Sequence, residues 1–241
     1  MTAIALRRAN WRHPEAGAAG IAALAWLALF VPVAGPEEVR QLHTEAHRSV
    51  PLLAGAVGWM LMTVAMMVPA ALPVARDHAL GALWARRQRT VGMFFAGYLV
   101  VWAAFGAVAA VALAFVEDDL GVRKGALLAA VLLAGALWEL TPPKWRSVRA
   151  CHLVSPLPPR GTKADLACAR AGAVYGRRCV IGCWAVMLAM VVAGHANVGL
   201  MVLLAAVVAA EKLVVRSARL AMPIAAVLAG AALVSLANWG P

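Results

Sequence analysis

Charge is scarce in this sequence. Asp, Glu, Lys and Arg make up 14% of its 241 residues, where a soluble domain carries about 25%. The shortfall is matched by an apolar fraction of 63%, a departure toward a lipid-embedded chain. Phe and Tyr are also few, at 5 and 2, so Ala, Val and Leu supply most of the apolar surface. Such residues suit closely packed transmembrane helices. No Gly-rich phosphate loop, Walker motif or G-x-S-x-G elbow occurs, which leaves an energised pump or an acyl-transfer enzyme without support. Nor is there an internal repeat, a heptad array or a low-complexity tract. The 4 cysteines do not read as a disulfide framework. They fall in or beside the face assigned below to the cytoplasm, where thiols stay reduced and can bind soft metals.

What charge there is carries one sign in excess, with a formal net charge of +11. A nucleic-acid-binding domain gathers basic residues into a stripe or patch on a soluble fold. Here they lie in short breaks between apolar runs, where they act as topology signals. The runs occupy residues 17–35, 52–75, 91–116, 125–141, 172–193, 197–215 and 220–238, close to the about 17–25 residues that a spanning helix needs. Arg and Lys in alternate breaks divide 18 to 4. The richer side holds the amino-terminal tail, and the Arg40, Arg48, Arg123 and Lys124 side is the poorer. The positive-inside rule then predicts a single all-α membrane domain of seven spans, amino terminus in the cytoplasm and carboxyl terminus outside. The first run is too long for a secretory signal and no A-x-A-like site follows it.

Several residues in this frame could carry chemistry. The second run contains Met60, Met62, Met66 and Met67, then Pro69 and Pro73. Met62 and Met66 share a helix face, as do Met60 and Met67. Thioethers bind Cu(I) and other soft ions without charge, but Met is also a flexible gap-filler in cores. The prolines would kink this helix and free carbonyls, tolerated in membranes where protein or a cavity covers them. The fifth run places Cys179, Cys183 and Met187 at i, i+4 and i+8 on one face, a soft-metal ladder or a set of small buried hydrophobes. With a rise of about 1.5 Å per residue, Met66 and Met67 lie about 12–14 Å above the cytoplasmic end of their helix, and Cys183 and Met187 about 9–15 Å above Arg177. The two sets could therefore meet, if their helices are neighbours.

Glu139 closes the fourth run just inside the boundary, as a functional acid at membrane depth or as a structural ion pair with Lys144 or Arg146. The loop that follows carries Cys151 and His152, competent ligand types without C-x-x-C spacing. On the opposite face, His43 and His47 stand four apart around Glu45, a divalent clamp on a helix or an ordinary solvated loop. Glu117, Asp118, Asp119, His195 and Asn197 make that face mildly anionic.

Trp59 with the Met62–Pro69 stretch, Trp138-Glu139-Leu140-Thr141-Pro142 with Lys144, and Cys179-Val180-Ile181-Gly182-Cys183-Trp184-Ala185-Val186-Met187 occur in an order and spacing that resembles the bacterial "predicted metal-binding integral membrane protein" family, a domain of unknown function. Glu211-Lys212-Leu213 looks like that family's ending of its sixth span. The resemblance covers about residues 50–215 and implies an inner-membrane protein that handles a transition metal. Glu139 stands where that pattern has Gln and Pro143 where it has Leu. Ser147 and Gly182 stand where further cysteines are common, which shifts weight toward Met and His.

The resulting expectation is a metal-handling membrane protein, not an enzyme, that transports or delivers Cu(I) or a similar soft ion. Its ligands would be Met62, Met66, Met67, Cys179, Cys183 and Met187, with Cys151 and His152 as a cytoplasmic acceptor station and Glu139 supplying charge or a proton relay. The competing expectation is a metal-free helical subunit of a larger membrane complex. Beyond lipid, and a possible metal acceptor, no partner is specified, and no nucleic acid is expected.

Overall fold

The computed structural model describes residues 13–34, 41, 45, 51–116, 121–151, 158, 161–193, 198–213 and 217–238. Among them the chain is all α, without strands. The helices are α1 (Ala16–Ala34), α2 (Pro51–Gly81), α3 (Arg87–Ala114), α4 (Lys124–Glu139), α5 (Pro142–Ala150), α6 (Gly161–Ala193), α7 (Val198–Leu213) and α8 (Ala221–Asn238). Two short 3₁₀ segments, Trp84–Arg86 and Ser217–Leu220, join α2 to α3 and lead into α8.

Each of the seven apolar runs forms a helix, but seven spans do not result. Among the described residues, three helices are long and apolar enough to cross a membrane: Leu52–Gly81, Trp84–Ala114 and Gly161–Ala193. A fourth arises only if α4 and α5 form one broken span across their 76° bend. The reason is length. At about 1.5 Å per residue, a 16-residue helix such as α4 or α7 reaches only about 24 Å, short of a hydrocarbon core of about 30 Å. The apolar stretches Ala16–Val31 and Ala221–Ala237 fall short in the same way.

The long helices pack around a core that α3 and α6 build together, with α2 against α3 and α4 against α6 and α8. Gly97 and Gly172 set the α3–α6 crossing. A Cβ at either would collide with the backbone carbonyl of Ala169 or Phe94 on the facing helix, so only glycine permits this approach. A Cβ at Gly106 would meet the Trp59 indole, whose Nε1 donates to the Trp102 carbonyl at 2.9 Å.

α2 runs unbroken through Pro69 and Pro73. Carbonyls near both prolines are taken up by tyrosines of other helices. The Tyr98 hydroxyl donates to Met67 O at 3.3 Å and the Tyr175 hydroxyl to Ala70 O at 3.2 Å. These contacts tie α2 to α3 and α6 beside its two prolines.

At one end, Arg86 and Arg89 both pair with Asp165, joining the start of α3 to the start of α6. Arg89 is well exposed, but Asp165 and its other partner Arg86 are largely buried. An Asp165→Asn variant, which leaves Arg86 without its carboxylate, is therefore expected to lower the melting temperature in detergent by several degrees. Tryptophan fluorescence would follow this transition.

Candidate metal centre

The bend after Glu139 creates the site. Thr141 is extended, Pro142 and Pro143 start α5, and the Trp145 indole donates to Glu139 O at 2.6 Å, folding α5 back against α6. The return is fixed by Ser147 donating to Arg178 O at 2.7 Å and by Arg178 donating to Ala150 O at 2.7 Å. Trp138 adds a hydrogen bond to Ile181 O at 2.9 Å. Together these contacts place the carboxyl end of α5 beside the middle of α6.

Two polar groups result, both buried. In the first, Lys144 lies between Glu139 and Glu211, paired with Glu139 Oε1 and 2.7 Å from Glu211 Oε1. All three are about 1% exposed, and the other oxygen of each carboxylate has no partner. Glu139 is thus held in an ion pair with Lys144, one of the two roles its sequence position allows, and a second acid shares the same lysine.

In the second group, sulfur gathers around Lys212. Cys179 and Cys183 stand one turn apart on α6, and both are fully buried. Lys212 Nζ donates to Cys151 Sγ at 3.3 Å and sits 5.8 Å above the Tyr175 ring. The Tyr98 hydroxyl is 3.4 Å from Cys179 Sγ. Because the same hydroxyl donates to Met67 O, one tyrosine oxygen links α2 to the cysteine face of α6.

The sulfurs singled out by sequence therefore belong to one core. Met62, Met66, Met67, Cys151, Cys179, Cys183 and Met187 are all buried in it. They are not one constellation, however. α2 and α6 meet only lightly, and at the Met67 level they meet through Tyr98. Met62 borders an apolar groove of about 530 Å³ shared with Trp59, Gly106 and Val191. Cys151, expected as part of a cytoplasmic acceptor station, is buried and faces Lys212. His152, His43, His47, Glu117, Asp118, Asp119, His195 and Asn197 lie outside the described residues. Sequence reasoning did not assign roles to Lys212, Glu211, Tyr98 or Tyr175. A charged pair inside the end of an apolar run was the available signal for the first two.

The donor set suits a soft ion. Among the described residues no group of three or more His, Cys, Asp or Glu is placed to hold a metal, so the closed tetrahedral site that structural zinc requires is not formed there. A pair of adjacent buried thiols is the kind of donor that Cu(I) favours. A family comparison names the same element. The chain belongs to the PpoB2 copper chaperone family. The family model matches residues 56–235, about three quarters of the chain, and takes in all four cysteines and both buried lysines. The PpoB2 description agrees with the copper part of the expectation read from sequence. No curated protein and no solved structure matches the chain.

Proposed function

We propose that this protein is a membrane-integrated copper chaperone that holds Cu(I) on Cys179 and Cys183, with the Met187 thioether one turn further along the same face. The observation that carries this reading is the pair of adjacent, fully buried thiols on α6, in a chain of the copper chaperone family. Met62, Met66 and Met67 form a second group of soft donors on α2, and Cys151, with His152, supplies the next station toward the cytoplasm. The reading is of handling, by transport or delivery, and not of catalysis. The long apolar helices support a membrane protein, and the resemblance of its motifs to the predicted metal-binding integral membrane protein family makes the bacterial inner membrane its proposed location.

The test is copper content. Protein purified in detergent after growth with copper is expected to retain stoichiometric metal by elemental analysis, and a Cys179→Ser/Cys183→Ser variant to fall to background. Unchanged stoichiometry in that variant would remove the site. The metal-free subunit reading draws on the absence of a three-ligand group among the described residues, and it predicts no copper in either protein.

A further inference from the structure

Lys212 is not itself a ligand, and any role for it at the thiol pair rests on the copper site being real. The side chain is 3% exposed. Its ammonium is 3.3 Å from Cys151 Sγ and 3.9 Å from where a Cβ would stand at Gly182. The missing side chain at Gly182 leaves room for the ammonium beside the chain neighbour of Cys183, and it acts electrostatically on Cys179 and Cys183 as well as Cys151. Among the described residues no carboxylate lies within ion-pair distance of it. The adjacent carboxylate, Glu211, turns instead to Lys144 at 2.7 Å. Two consecutive residues of α7 thus send opposite charges to different places, the acid to the Glu139–Lys144 group and the ammonium to the sulfurs.

A buried ammonium is costly unless an anion answers it. The thiol face can supply one when it holds a metal. A monovalent ion on two thiolates forms a complex of net charge −1, whereas a divalent ion on the same pair forms a neutral one. A neighbouring buried ammonium attracts the first and has no net charge to attract in the second. The other charged groups around it, Glu139, Lys144 and Glu211, add a fixed background and do not alter the sign of this difference. Tyr98 and Tyr175, which also face the thiols, are neutral. We propose that Lys212 is a specificity-determining residue, favouring monovalent soft ions over divalent ions such as Zn(II) at the Cys179–Cys183 pair. Glu211, of opposite charge and one residue away, pulls the preference the other way.

The test uses the full-length protein in detergent, with Ag(I) as a redox-stable monovalent probe in chelator competition against Zn(II). A Lys212→Met variant is expected to lower the Ag(I)-to-Zn(II) preference by at least about tenfold, while Lys212→Arg keeps it and Glu211→Gln raises it. A general loss of packing would weaken both ions together and leave the ratio unmoved. A ratio in Lys212→Met within about twofold of wild type overturns the proposal. Should that variant fail to fold, Lys212→Gln, which also removes the charge, is read by the same criterion, and a ratio within about twofold of wild type overturns the proposal. Wild-type protein that retains no Ag(I), or a Cys179→Ser/Cys183→Ser variant that retains it fully, would instead overturn the copper site.

Discussion

A Lys144→Met variant is expected to lose about 3–5 kcal/mol of stability, the usual cost of removing one partner from a buried ion pair. Lys144 stands between two carboxylates, and each of the three side chains is about 1% exposed. Without the ammonium, Glu139 and Glu211 would face one another across an apolar interior, each already carrying an oxygen that lacks a partner. The charges would be worse placed than if none of the three residues were ionic. The comparison with Glu139→Gln separates charge from packing. That change leaves Lys144 and Glu211 as a balanced one-to-one pair, so the expected loss is clearly smaller than for Lys144→Met. Combining Lys144→Met with Glu139→Gln and Glu211→Gln is expected to restore much of the stability, because neutral replacement of a whole buried ionic group is often tolerated. Thermal unfolding in detergent reads all of these, with Trp145 beside Lys144 as a local reporter. A Lys144→Met protein that melts with the wild type would show that the group is solvated in the folded state.

The α3–α6 crossing should be the other most sensitive place. Gly172→Ala would drive a methyl group into the Phe94 carbonyl, and Gly97→Ala would do the same against Ala169. Backbone cannot step aside as a flexible side chain can, so the helices must separate, at a cost of about 1–3 kcal/mol for each change. Separation would also move Tyr98, which is the residue after Gly97 and bridges Met67 O to Cys179. Gly172→Ala is therefore expected to lower the melting temperature and weaken copper retention together. Gly20→Ala, in α1, where a Cβ meets nothing, is the control and should change neither. Copper retained undiminished in a strongly destabilised Gly172→Ala protein would mean that the thiol pair does not depend on this crossing.

How far the site could be read from sequence depends on how local its parts are. Cys179, Cys183 and Met187 share a face because of helical repeat alone, and the structure keeps them together in the core. The ion pair of Glu139 with Lys144 spans five residues across a Thr-Pro-Pro bend, near enough for one of its alternatives to be named in advance. Glu211 and Lys212 lie more than 60 residues from their partners, and no periodicity connects them. Met66 and Met67 were matched to the cysteines by depth alone; the structure buries them in the same core, with Tyr98 linking Met67 O to Cys179.

Hydropathy by itself determined the all-α class and roughly where the seven apolar helices lie, because burial of a helix in an apolar medium needs only a long enough apolar run and satisfied backbone hydrogen bonds within it. It did not determine the polar helix α5, which it read as loop. Tertiary structure decided which of those helices are long enough to cross, since α4 turns by 76° into α5 and α6 begins at Gly161, well before its apolar run. It also decided the surroundings of the thiols. Lys212, Tyr98 and Cys151 arrive from three other parts of the chain, and the field that they make at Cys179 and Cys183 depends on distance, which no local pattern records.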